Sequence, residues 1–454
     1  MKSFDLILIT KFKALQDRVT NISSEFGYTL EHLSKVDDFC EREAEYKEPS
    51  LMVVSAEDVE VESEIAGRVQ VVRQMAPHAF LLVIISSKLN ADTAAFVKKS
   101  GANAVLLEPE VEYSSKLEFI FSQKIKSSYI PIKASELKVG TKLSFPLYHL
   151  MPLNRKYLPV VRASDEITQD RYDKLMQVTE IYVHRNDVEA YHQYTMGSSD
   201  QSAEGLGRRC RAQFMRLYAK YVDLVMLISD QSESKSFKEG AALYEQCSAL
   251  AGDLMNSLSV TGGAWNIINN SAIGEFGSLQ RSPAVAAYAG LLSLHAQIGS
   301  VTAVMTAVMT AVMLADIGLL EVSPKVNQRI RKGQKLDDLH KEDLAEFHNH
   351  PVKSLNMALS RKLQIPENVK NIILSTHETA DKKGFPAKPN AEKIPMEAML
   401  IQYCEKLDHQ SCIRMGEQRK DINEVKKQIF ESELEGTIWS RLFLEKIRRS
   451  VSEI

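Results

Sequence analysis

The sequence predicts a multidomain chain that changes architecture twice: an N-terminal α/β domain with a doubly wound parallel sheet, a small β-rich middle module and a C-terminal all-α helical bundle. Three observations predict this. Four short apolar runs alternate with helix-length mixed segments over residues 4–125; strand-and-turn segments follow over 129–195; from Arg208 onward, apolar residues recur at three- and four-residue spacing. A length of 454 residues gives material for about three domains. With 44% hydrophobic and 25% charged residues the chain is globular, and a net charge of −3 argues against nucleic-acid binding by bulk positive charge.

The four runs are Leu6-Ile7-Leu8-Ile9, Leu51-Met52-Val53-Val54, Leu81 to Ile85 and Ala104-Val105-Leu106-Leu107, with helix candidates at Glu62 to Met75 and Ala91 to Ser100. Continuous apolar strands alternating with helices imply a parallel sheet covered on both faces. In the second region Ile130-Pro131-Ile132, Leu137 to Gly140 and Tyr157 to Val161 read as short strands and turns, followed by a helix at Gln169 to Gln177 and a strand at Glu180 to His184. Met196 to Gly207 is small and polar and reads as a linker. Phe214 to Ile228 and Glu239 to Leu258 then read as a helical hairpin or dimer stalk. Thr302-Ala303-Val304-Met305 recurs as 306–309 and 310–313, and a period of four drifts around a helix, so this helix must be buried on nearly every face.

Pro283 to Leu314 carries no charge, but its polar centre (Ser293, His295, Gln297) favours two buried helices over a membrane span. His295 is expected to be a core or interface histidine, and His348 to face away from His350 on a shared helix. The five cysteines form no CxxC spacing, which fits a reducing compartment, and no signal-peptide pattern opens the chain. The expected location is cytoplasmic.

Residues 1–126 resemble a response-regulator receiver domain, but its functional positions are changed. Thr10-Lys11 stand where a receiver has its acidic pair, Ser55 stands at the phosphoacceptor position, and Glu108-Pro109 replaces Lys-Pro. No phosphoacceptor is expected, with Asp58 the alternative if the position is shifted. Residues 127–196 resemble the small module that often precedes HD-GYP domains, and 197–269 are read as linker and stalk.

Asp316-Ile317-Gly318, His350-Pro351, His377-Glu378, Gly384-Phe385-Pro386, Ile394-Pro395 and the helix bearing Glu405 and Asp408 follow one another in residues 270–454. Their order and spacing resemble an HD-GYP domain, the metal-dependent class of cyclic di-GMP phosphodiesterases. The resemblance implies two metals clamping a phosphodiester through His and carboxylate ligands. Carried over residue by residue, it places Arg281 at the first His, Ala315 at the His of the HD pair, Leu319 at a lysine and Thr376 at one of two paired histidines. Asp316, His350 and His377 remain as a candidate single-metal site for iron, manganese or zinc, with Glu405 as a relic ligand. Phe385 stands for the family Tyr, and Arg414 at a phosphate-contacting arginine. An arginine cannot ligate, and its fixed charge repels a cation.

The resemblance with its ligands lost implies a non-catalytic signalling protein of the cyclic di-GMP pathway, a homodimer acting through partner proteins or the nucleotide, with no cofactor expected. The alternative is an active phosphodiesterase with a mononuclear site. Arg281 is expected to pair with Asp316 or Glu405 in place of the lost metal.

Overall fold

The computed structural model of the chain describes residues 2–125, 129–151, 156–178, 181–197, 200–230, 237–271, 278–298, 301–336, 338–411, 420–434 and 437–452. They group into two compact units. One comprises Met1–Ser127, Met226–Lys238 and Leu319–Phe347; the other comprises Ser128–Val225, Glu239–Gly318 and His348–Ile454.

The first unit is built on a parallel sheet of five strands: β1 (Leu6–Ile9), β2 (Leu30–Leu33), β3 (Leu51–Ala56), β4 (Phe80–Ile85) and β5 (Ala104–Leu107). Their order is β2-β1-β3-β4-β5, with Leu6 opposite both Leu30 and Leu51, and Leu51 opposite Phe80. The central strands β1 and β3 are buried along their whole length, which is why they read as uninterrupted apolar runs. Helices α1 (Lys13–Phe26), α2 (Glu62–Met75), α3 (Ala91–Lys99) and α4 (Lys116–Ile125) connect and cover the sheet. Strand β2 is additional to the four expected. It is an edge strand whose Glu31 accepts hydrogen bonds from Tyr46 Oη (2.8 Å) and Arg42 (3.1 Å), so charged residues interrupt its apolar signal.

Residues 319–347 pack within this same unit. Ser115 donates from its backbone to the Leu320 carbonyl (2.9 Å) and from its hydroxyl to the Val322 carbonyl (3.1 Å), and the buried Asn327 amide donates to Ser115 Oγ (2.8 Å). Arg331 meets Glu25 at 3.0 Å. These buried groups satisfy one another across long sequence separations, which makes the docking specific.

Ser55 is the next-to-last residue of β3, and Asp58 three residues on is held by Arg68 at 3.0 and 3.5 Å. Burial, with Glu108 and Asp58 nearby, pushes the Glu57 carboxyl up to about 7. Among the described residues no cluster in this unit has metal-binding geometry. A carboxylate tied to a guanidinium, with no metal-binding cluster beside it among the described residues, is a poor phosphoryl acceptor. Incubation with acetyl phosphate is therefore expected to leave residues 1–125 unlabelled, and a phosphoaspartate found there by mass spectrometry would contradict this.

The second unit opens with an antiparallel sheet, β6 (Tyr129–Ile132), β7 (Leu147–Met151), β8 (Lys156–Val161) and β9 (Ile181–His184), in the order β8-β7-β9-β6. Of the short strands and turns expected, Leu137 to Gly140 is a turn after the 3₁₀ segment Ala134–Glu136, with Gly140 at φ 80°. β7 is a strand in addition to those expected. Helix α5 (Gln169–Met176) lies where expected. The segment read as a linker shortens, because Ala203 already begins α6 (Ala203–Ser229), followed by α7 (Phe237–Ser259). Glu136 is buried and accepts from the Tyr191 hydroxyl and from Arg211 Nε (2.5 Å), tying the module to α6.

The rest of this unit is helical: α8 (Ser278–Ala296), α9 (Val301–Ala315), α10 (His350–Ser360), α11 (Glu367–Ser375), α12 (Met396–Ser411), α13 (Ile422–Ser432) and α14 (Arg441–Ser452). From Ala307 to Ala315 every side chain of α9 is buried, as the four-residue period requires. No helix among the described residues is long and apolar enough to cross a membrane. His295 lies exposed near the end of α8 rather than in the core.

Candidate metal centre

Three helix ends converge on one buried point. Asp316 directly follows α9, His350 opens α10, and His377 stands two residues beyond α11. Pro351 at the first turn of α10 is tolerated because its missing N–H would have no partner there. Gly318 lets the turn after α9 touch α10, since a Cβ at Gly318 would stand 2.2 Å from the His350 carbonyl oxygen and 2.6 Å from Ser354 N. Ser354 Oγ accepts from Gly318 N (2.7 Å) and donates to the Ala315 carbonyl, fixing Asp316 between two anchored residues.

His377 is positioned from the other side. Phe385 N donates to the His377 carbonyl (3.0 Å), and a Cβ at Gly384 would lie 2.3 Å from that same oxygen. The buried Glu378 carboxylate accepts from the backbone N–H groups of Ala387 and Lys388, and the Glu378 carbonyl accepts from Gln402. The His377-Glu378 pair thus combines one imidazole at the site with one carboxylate that folds the Gly384-Phe385-Pro386 loop over it. Glu378 figured in the sequence only as a landmark beside His377.

His350 Nε2 and His377 Nε2 face each other at 3.0 Å, with Asp316 Oδ1 3.4 Å from the first and 3.8 Å from the second. These atoms form the one His/Asp group of metal-binding geometry among the described residues. Asp316 Oδ1 is buried and makes no hydrogen bond, an exception that calls for a partner. Burial alone would raise the Asp316 carboxyl, but the two imidazoles outweigh it and hold it below the usual carboxylate range. Burial, together with the neighbouring His350, lowers His377, so it is neutral at pH 7. Two imidazole nitrogens and one ionised oxygen converging on one point fit a single divalent cation.

Glu405 lies outside that group. Its Oε2 is 4.0 Å from Nδ1 of His377, the ring nitrogen opposite the one aimed at Asp316. Burial and the nearby carboxylates Asp316 and Asp408 push Glu405 well above its usual range. Glu405 thus lies behind His377, on the side of the ring away from Asp316.

Arg281 takes neither Asp316 nor Glu405, contrary to expectation. Its guanidinium makes a two-point contact with Asp408, through Nε and through Nη2 at 2.6 Å. Asp408 lies three residues beyond Glu405 on α12, about one helical turn, and a planar guanidinium is satisfied best by a carboxylate it can meet with both nitrogens. Their side chains are 11% and 4% exposed, so the pair is buried.

Phe385 covers the site. Its ring stacks on His377 (4.9 Å, 22°) and on His348 (4.4 Å, 18°) and meets His350 edge-on. His348 does not face away on a shared helix: a break at Asn349 separates the helix Lys341–His348 from α10, and His348 turns back half-buried onto Phe385. Ala315 and Leu319 are buried apolar residues beside the turn, and Thr376 is buried with its hydroxyl bonded to the Ile373 carbonyl (2.9 Å). Arg414 lies outside the described residues.

Residues 266–424 match the family model of the HD domain. The convergent His and Asp side chains thus sit in an HD domain, a class that typically depends on a metal. No curated protein matches the chain. Among solved structures, the chain is similar to Bd1817, a HDG"Y"P protein from Bdellovibrio bacteriovorus, at 17% identity and a TM-score of 0.47, over 71% of this chain and 99% of that one.

Proposed function

We propose that this chain is a signalling protein of the cyclic di-GMP pathway whose HD-GYP-type domain binds a partner or the nucleotide without hydrolysing it. The observation that supports this reading is the Arg281–Asp408 pair. The resemblance puts a metal-binding histidine at position 281, and the side chain there is a cation already committed to a carboxylate. A second metal would lack that ligand and the imidazole missing at Ala315, while the imidazole missing at Thr376 is one lost from the remaining site. Phosphodiester hydrolysis by this class relies on two ions stabilising attacking and leaving oxygens together.

Asp316, His350 and His377 would hold one divalent ion, which would supply a Lewis acid when bound. In this reading these three residues would tie together the ends of α9 and α11 and the start of α10, and Phe385 presents an aromatic face against the His377 ring. That same group favours a second reading, a phosphodiesterase with a single-metal site. Incubating the purified protein with cyclic di-GMP and Mn²⁺ or Fe²⁺, with products separated by chromatography, decides between them. No linear product above the buffer control is expected. Turnover that disappears in Asp316→Ala would establish the enzyme instead.

A further inference from the structure

Two of the three donors of the candidate metal centre stand at the two ends of a segment that packs elsewhere. The chain leaves the second unit after Gly318, two residues beyond Asp316, and re-enters it at His348, two residues before His350. Everything between, Leu319–Phe347, belongs to the first unit. The 3₁₀ turn Ile317–Glu321 crosses this boundary. Its Gly318 N–H is held by Ser354 Oγ at 2.7 Å, and its last residues are held by the first unit.

That hold is made of buried groups. Ser115, just before α4, takes the Leu320 carbonyl with its N–H and the Val322 carbonyl with its hydroxyl. Asn327 donates to the Leu319 carbonyl at 2.6 Å and to Ser115 Oγ at 2.8 Å. All five residues are buried, so a broken bond would leave a polar group without water or partner. Farther along, the Arg331 guanidinium lies 5.3 Å from the centre of the Phe26 ring while it pairs with Glu25, and Gln328 donates to Glu25 at 3.2 Å. The carbonyl that Asn327 grips lies only three residues from Asp316, and little chain is left between them to absorb a shift. A metal site needs its donors placed to within about 0.2 Å of the bond lengths it favours.

We infer that the first unit regulates the metal centre: by gripping Leu319–Phe347 it holds Asp316 and His350 in register for an ion, and a bound ion in turn tightens the grip. Linkage makes the two effects equal in size. The inference rests on Asp316, His350 and His377 holding an ion, and it is independent of whether that ion supports hydrolysis. It gives the first unit a task that needs no phosphoryl transfer, since anything that loosens its hold is read as a change in ion affinity.

Titrations of the full-length protein and of Asn327→Ala, Arg331→Glu and Asp316→Ala with Zn²⁺ and Mn²⁺, together with hydrogen exchange of the parent with and without the ion, test it. Neither Asn327 nor Arg331 is a donor, yet each of their variants is expected to bind the ion at least about fivefold more weakly. The first unit should keep a cooperative melting transition in both. In the parent the ion is expected to slow exchange of the Ser115 and Val322 amides, which bond to the Leu320 and Leu319 carbonyls, and in Asp316→Ala to leave it unchanged. Exchange needs no variant of the grip, so it decides the question even where Asn327→Ala fails to fold. Unchanged ion affinity in both folded variants, or amides indifferent to an ion that binds, overturns the coupling alone. No ion bound by the parent overturns the metal centre and the coupling with it.

Discussion

Arg281→Ala is expected to destabilise the helical domain by about 3–5 kcal/mol, read as a lowered urea midpoint of its unfolding transition. The pair it breaks is buried on both sides, with Asp408 only 4% exposed. Removing the guanidinium leaves a buried carboxylate without its partner and already near Glu405. Such a charge is costly because it loses its partner and gains nothing in exchange. Arg281→Lys should recover only part of the loss, since a single ammonium cannot reproduce the two-point contact. The double variant R281M/D408L should recover most of it, because removing both charges removes the unpaired one. A loss below about 1 kcal/mol in Arg281→Ala would mean that the pair is solvated and weak.

This pair also marks how far sequence reasoning reached. The landmarks that order the HD domain were legible because their residue types are forced: Gly318 and Gly384 stand where a Cβ would collide with backbone, and Asp316, His350 and His377 are the groups that face one another. The choice of Asp408 over Asp316 or Glu405 was not legible. All three are acids within reach of a vacated position, and only side-chain geometry decides which meets a guanidinium with two nitrogens. His348 was misread for a different reason. Two residues apart on one helix, His348 and His350 would diverge, but the break at Asn349 bends the chain and brings both rings to Phe385.

The same contrast holds at the N-terminus. β1, β3, β4 and β5 stand out because strands covered on both faces are apolar throughout. β2 does not, because an edge position lets Glu31 and His32 find polar partners beside the sheet. Nor does spacing foretell that Leu319–Phe347 packs in the first unit, since that depends on Ser115 and Asn327, polar residues more than 200 positions apart.

The purified protein is expected to bind about one divalent ion per chain, and Asp316→Ala to weaken that binding more than about a hundredfold, since loss of even an outer partner of a ligand costs tenfold or more. The three donors already converge: two Nε2 atoms at 3.0 Å and Asp316 Oδ1 at 3.4 and 3.8 Å from them. Without an ion a single proton shared between the imidazoles satisfies them, and Asp316 Oδ1 is left with no hydrogen bond; an ion satisfies all three at once. The protonation states suit this at neutral pH. Asp316, held low by the imidazoles against the opposing effect of burial, is ionised, and His377, lowered by burial, is unprotonated. Binding must therefore weaken as pH falls into the range where imidazoles take up protons, because each proton competes for a ligand atom. The ion should also stabilise the HD domain with the logarithm of its free concentration, by about 2.7 kcal/mol at a hundredfold excess over Kd, and raise its thermal midpoint accordingly. Elemental analysis of the parent protein and of Asp316→Ala, with melting curves in manganese, zinc and chelator, checks each step. Equal metal content in the two proteins, or a midpoint indifferent to every ion, would mean that the imidazoles and Asp316 serve only each other.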